Sequence, residues 1–259
     1  MEAGQAEPSH SLPPFDMTWA MFLDVDGTLL DFAERPEKVV PRPGLIQILE
    51  AVHRAVPLVL VSGRRISDLD RLFAPLRLPI AGQHGVERRS ADGRMHGARV
   101  AENALEPARA YLLAWLRDRR PIVLEDKGMS LALHYRGAPH LESEAARACR
   151  RALLRLGDGY MLAYGNKVFE IRLRGWDKGR AIGEFMLEAP FAGRMPVFAG
   201  DDMTDEDGFV AVNRAGGHSI KVGLGPTAAH WRLADTMQVM IWLDSYVKWF
   251  ASQHGESRP

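Results

Sequence analysis

Residues 20–31 read AMFLDVDGTLLD: an apolar run that ends in Asp24, a second acid at Asp26, then Gly27 and Thr28. A short apolar stretch closed by turn-forming residues marks a strand buried on both faces, as in a parallel sheet. Three more runs have this form: Pro57–Val61 (PLVLV), Pro196–Ala199 (PVFA) and Ser219–Val222 (SIKV). Helical periodicity alternates with them. Residues 44–55 place Leu45, Ile48, Leu49 and Val52 on one face, and a second helical pattern runs over Lys178–Leu187. The expected fold class is α/β, a doubly wound Rossmann-like parallel sheet.

The middle of the chain follows another rule. In SLALHYR (130–136), Leu131, Leu133 and Tyr135 alternate with Ala132, His134 and Arg136. In KVFEIRL (167–173), Phe169, Ile171 and Leu173 alternate with Val168, Glu170 and Arg172. Period-two alternation describes a sheet with one packed face and one polar face. Helical patterns near 104–118 and 141–156 supply cover for the apolar face. The expected organisation is an α/β core from 1–87 and 175–259, interrupted by an inserted α+β cap over 88–174.

The 259 residues are 46% hydrophobic and 25% charged, which is globular composition. Lys plus Arg equals Asp plus Glu at 33 each, so no global field draws the chain to nucleic acid or an anionic membrane. Cys149 is the single cysteine, which excludes an intrachain disulfide; within EAARACRRALLRL it reads as a small buried hydrophobe. No stretch approaches the roughly 20 apolar residues of a membrane span. MEAGQAEPSHSLPPF lacks the basic and apolar regions of a signal peptide. These features predict a cytoplasmic protein whose polar first dozen and last eight residues fray, and a monomer is expected, although no sequence feature fixes the oligomeric state.

Carboxylates at strand ends carry the chemical signal. In open α/β sheets the carboxyl ends of the strands form the ligand crevice. Asp24 and Asp26 there would repel each other unless they share a cation or a proton. VFAGDDMTDEDGF (197–209) repeats the pattern with Asp201 and Asp202, while Asp205, Glu206 and Asp207 also read as acids at a helix N-terminus. Such hard ligands suit Mg²⁺. In VLVSGRR, Ser62 beside Gly63 can hold a phosphoryl oxygen, and Ser-Gly also reads as a turn. Lys178 in GWDKGRA is a point charge suited to phosphate, and a lone loop lysine also reads as solvated.

Taken in order, Asp24 with Asp26, Ser62, Lys178 and Asp201 with Asp202 resemble the four motifs of the haloacid dehalogenase (HAD) superfamily of phosphotransferases. The strings LPIAGQHGVERR, LEDKGMSLALHYR, NKVFEIRLRGWDKG and VFAGDDMTDEDGF narrow the resemblance to bacterial trehalose-6-phosphate phosphatases, from about Trp19 to Leu243. The chain departs from that family at Trp176, where smaller residues are usual. The resemblance implies a nucleophile at Asp24, a general acid–base at Asp26, and neutralisation of the transferring group by Ser62 and Lys178. It implies Mg²⁺ held by Asp24, the backbone carbonyl of Asp26, and Asp201, with Asp202 nearby through water. It implies substrate contacts from Arg64, Glu125, Lys127, His134, Arg136 and Glu170, with trehalose 6-phosphate as the substrate. Gln83 and His84 read equally as substrate contacts or as a turn. The alternatives are another capped sugar phosphatase, of the sucrose phosphate or mannosyl phosphate type, or a non-catalytic sugar-phosphate sensor. A sensor, however, would not need both Asp24 and Asp26.

Overall fold

The computed structural model describes residues 12–32, 39–101 and 103–255. In chain order the elements are β1 (Trp19–Leu23), α1 (Leu45–Ala55), β2 (Leu58–Val61), α2 (Ile66–Leu72), β3 (Ile80–Gly82), β4 (Glu87–Arg89) and β5 (Met95–Gly97). There follow α3 (Glu106–Leu116), β6 (Val123–Asp126), β7 (Leu131–His134), α4 (Glu142–Leu153), β8 (Tyr160–Gly165) and β9 (Val168–Leu173). The chain closes with α5 (Lys178–Phe185), β10 (Met195–Gly200), α6 (Glu206–Arg214), β11 (His218–Val222), β12 (Trp231–Leu233) and α7 (Thr236–Gln253). Contacts divide them into one unit of residues 1–96, 177–201 and 205–259, and another of 97–176 with 202–204.

The first unit is built on a sheet in the order β12-β11-β10-β1-β2-β3-β4-β5. From β12 through β3 every pairing is parallel. The period-two rule explains how one strand serves two cores. Trp19, Met21 and Leu23 of β1 pack with Leu45, Leu49, Trp242 and Tyr246 from α1 and α7. Ala20 and Phe22 face the other way, against Ile182, Phe185 and Phe209 from α5 and α6. All five β1 residues are fully buried, as the continuous apolar run requires. Truncating one such side chain to alanine would cost about 2–5 kcal/mol.

β4 pairs antiparallel with β3, Gly82 opposite Glu87 and Ile80 opposite Arg89, and β5 lies beyond it. Residues 88–96 therefore extend the core sheet, whereas the sequence reading assigned them to the insertion. The charges explain the difference. Glu-Arg-Arg looks like an exposed polar strand, but Arg89 is buried with its fork on Asp70 (2.8 and 2.7 Å) and Arg88 is buried against Glu188 (2.6 Å).

The second unit has a four-stranded antiparallel sheet, β6-β7-β9-β8. Leu131, Leu133, Phe169 and Ile171 pack under α3 and α4, and buried Cys149 lies in this core. Burial pushes its thiol up to about 12. The opposite face carries Ala132, Glu170 and Arg172, which are buried as well. Residues 1–11 and 256–259, where fraying is expected, lie outside the described residues, while Ser252 and Gln253 belong to α7. Among the described residues no helix is long and apolar enough to cross a membrane.

Candidate active site

Asp24 directly follows β1, and its N–H donates to the carbonyl of Ala199 on β10 (2.9 Å). This bond fixes the carboxylate at the shared carboxyl end of two central strands. Lys178 is the first residue of α5, whose N-cap Asp177 accepts from the Arg180 N–H (2.7 Å). The Lys178 Nζ donates to Asp24 Oδ1 and to Asp205 Oδ1, both at 2.6 Å, and all three residues are buried. Asp205 Oδ2 in turn accepts from the Asp201 N–H (2.9 Å). Ligand oxygens of Asp24, Asp201 and Asp205 lie within 4.8 Å of one another.

Two glycines permit this convergence. A Cβ on Gly200 would stand 2.3 Å from the Asp205 carboxyl carbon, and one on Gly27 would stand 2.2 Å from Asp201 Oδ2. Gly27 also has φ +88°, which penalises any side chain.

Burial pushes the Asp24 carboxyl up to about 7; Lys178 opposes this, while Asp205 and Asp26 reinforce it. Among these groups, three clustered acids face one buried lysine. A hard divalent cation bound by carboxylate oxygens would relieve that imbalance, so the donor set fits Mg²⁺. The structure groups Asp205 rather than Asp202 with Asp24 and Asp201: Asp202 Oδ1 accepts from the N–H and the hydroxyl of Thr204, each at 2.7 Å. Lys221, missed in the sequence, is buried on β11 and donates its Nζ to the Asp201 carbonyl. A cleft of about 310 Å³ lined by Gly27, Asp31, Asp201 and Gly223 opens this side of the cluster.

Asp26 is held by Arg64, whose Nε and Nη2 each donate at 2.7 Å. Ser62 is buried beyond β2, and its Oγ accepts from the Arg64 N–H (3.1 Å). The Gln83-His84 turn braces this loop: the Gln83 N–H donates to the Arg64 carbonyl and the His84 N–H to the Ser62 carbonyl, both at 2.9 Å. Their φ values of 46° and 58° suit a turn.

In the second unit, Glu125 Oε2 lies 2.8 Å from His134 Nε2. Glu170 Oε1 accepts from Ser130 Oγ (2.6 Å) and Lys127 Nζ (3.3 Å). Burial alone would raise the Glu125 carboxyl, but the His134 bond and the Lys127 charge bring it below its ordinary value. Arg136 donates to the backbone and side-chain oxygens of Asn166 (3.1 and 3.2 Å). Ser130 joins this network from the start of the alternating stretch, where nothing in the pattern marks a serine as a site residue.

The fold is shared with a solved protein of Bacteroides thetaiotaomicron described among phosphatases of the haloalkanoate (HAD) enzyme superfamily, 16% identical with a TM-score of 0.58 over 94% of this chain and 99% of its own. A solved trehalose-6-phosphate phosphatase related protein is 26% identical, with a TM-score of 0.72 over 90% of this chain and 99% of its own. The trehalose-6-phosphate phosphatase of Escherichia coli (strain K12) is 41% identical over 240 residues, 92% of this chain and 90% of that protein. A probable trehalose-phosphate phosphatase of Sinorhizobium fredii is 44% identical over 208 residues, 79% of this chain and 78% of its own. Residues 22–237 match the trehalose-phosphatase family, and the chain belongs to it.

Proposed function

We propose that this protein hydrolyses trehalose 6-phosphate to trehalose and inorganic phosphate through a phosphoryl group carried on Asp24. The observation that supports it best is the buried Asp24 carboxylate held by Lys178 at 2.6 Å, beside Asp201 and Asp205. Lys178 orients one Asp24 oxygen and leaves the other to attack phosphorus. As that P–O bond forms, the bond to the sugar oxygen breaks and Asp26 donates a proton to the leaving alkoxide. Asp26 then takes a proton from the water that cleaves the aspartyl phosphate, which restores Asp24 and releases phosphate. Ser62 and Arg64 bind phosphoryl oxygens, and Asp24, Asp201 and Asp205 would hold Mg²⁺, with Asp202 and the Asp26 carbonyl as further candidates. When bound, Mg²⁺ supplies positive charge to the transferring group.

Residues of the insertion set the sugar specificity in this reading. Glu125, Lys127, His134, Arg136 and Glu170 present a hydrogen-bonded set of donors and acceptors suited to a polyol. A phosphate-release panel over sugar phosphates tests the assignment. Trehalose 6-phosphate is expected to be turned over far better than glucose 6-phosphate, sucrose phosphate or mannosyl phosphate, because sites built on hydrogen bonds reject analogues by about 10⁴-fold. Comparable rates on glucose 6-phosphate would remove the trehalose assignment.

A further inference from the structure

Arg172 lies on β9 two residues beyond Glu170, and so on the same face of its sheet, opposite Met161 of β8. It is 5% exposed, yet its Nε and Nη1 have no hydrogen-bond partner. A guanidinium stays charged and carries five N–H donors, so burying it without acceptors is unfavourable. Among the described residues the other two buried arginines each have a carboxylate partner, although the Arg88 Nε also makes no hydrogen bond. Arg89 places its fork on Asp70 and the Leu78 carbonyl, and Arg88 reaches Glu188. The acid beside Arg172 on its own strand, Glu170, is engaged by Ser130 and Lys127. A buried cation left unsatisfied destabilises the fold that holds it, and such a feature persists where a ligand completes it.

We infer that Arg172 is a further sugar-binding residue, its open donors taking hydroxyl oxygens of the sugar phosphate beside those held by Glu170 and Lys127. This rests on the proposed reading of the insertion as the sugar-recognition element. Specificity then comes partly from the guanidinium itself: a substrate without the matching oxygens leaves the buried charge unsolvated. The residue is also an internal test of the idea, because function and stability should move in opposite directions when it is replaced.

The experiment compares wild type with Arg172→Met and Arg172→Lys by thermal melting without substrate. It also measures kcat/KM on two substrates: whichever sugar phosphate wild type uses best, and p-nitrophenyl phosphate. Arg172→Met is expected to melt no lower than wild type and to lose about tenfold to a hundredfold in kcat/KM on the sugar phosphate, mostly through KM. Turnover of the aryl phosphate should change little. Arg172→Lys, which keeps the charge without the planar fork, is expected to fall between them, and it carries the test if the methionine variant fails to fold. A lower melting temperature with equal losses on both substrates assigns Arg172 to the fold and overturns the inference. Unchanged kinetics on the sugar phosphate also overturn it. Failure of wild type on trehalose 6-phosphate would reject that substrate alone, since the comparison stands on any sugar phosphate the protein uses.

Discussion

The Arg64 guanidinium grips the Asp26 carboxylate at two points, Nε and Nη2, each 2.7 Å from an oxygen. A two-point fork fixes the plane of a carboxylate as well as its distance. Arg64 is itself braced by the Ser62 hydroxyl and the Gln83 N–H. The same fork also matches phosphoryl oxygens, so in the proposed mechanism substrate phosphate and Asp26 would share one set of donors. The expected result is a leaving-group split. If Asp26 is the general acid as proposed, Arg64→Met should slow release of an alkoxide, which needs a proton, by about 10²-fold. It should slow p-nitrophenyl phosphate, whose leaving group needs none, much less. Equal losses would restrict Arg64 to phosphate binding.

Asp24→Asn keeps the size of the side chain and removes the proposed nucleophile, so turnover should vanish while the melting temperature stays near wild type. Asp26→Asn should retain some turnover, with a loss of about 10²–10⁴-fold. Steady-state phosphate release on the two variants checks the order. Near wild-type release by Asp24→Asn would eliminate the covalent route.

Gly27→Ala tests the acid cluster without touching an acid. The new methyl would stand 2.2 Å from Asp201 Oδ2, and at φ +88° it also strains the backbone. Asp201 must move. The expected outcome is weaker Mg²⁺ binding by titration calorimetry, together with a loss of turnover. Chelation should silence wild type, and excess Mg²⁺ should restore it. Unaltered Mg²⁺ affinity in Gly27→Ala would separate Asp201 from the metal.

Acid stability should depend on the buried Arg89 of β4 and its partner Asp70. The Arg89 hydrogen bonds hold the Asp70 carboxyl below its ordinary value. A group depressed in the folded state contributes its full stability above the unfolded pKa and loses it as pH falls through the folded one. Melting temperature should therefore decline from about pH 5 to about pH 2, and Asp70→Asn should flatten part of that decline. An unchanged acid limb in Asp70→Asn would assign the pH dependence to other carboxylates.

The parallel strands β1, β2, β10 and β11 are legible in the sequence because burial on both faces demands uninterrupted apolar runs. β4 is not, since its buried arginines are satisfied by Asp70 and Glu188, which only the folded chain brings near. Asp205 was visible but ambiguous: an acid just before a helix is explained by the helix alone, and its bond to Lys178 spans 27 positions. Arg64 and Asp26, 38 positions apart, were both named as site residues, yet nothing in either motif pairs them. Alternation identified the polar face of β7 and β9 but not its burial, because period two reports which residues share a face and is silent on what covers it.

The pairing of β1 with β10, Trp19 opposite Met195, joins segments made far apart in time during synthesis. At about 5–20 residues per second, β1 waits roughly 10–35 seconds for that neighbour. During the wait one edge of a fully apolar strand is unpaired, a hazard for association between nascent chains. Asp24, the proposed nucleophile, is thus synthesised among the first residues of the core, and Lys178, Asp201 and Asp205 among the later ones. A chain stopped before α5 would carry Asp24 and the strands β6 to β9 without Lys178, Asp201 or Asp205. On the proposed mechanism the site is completed late in synthesis, when Lys178, Asp201 and Asp205 arrive beside the Asp24 carboxylate.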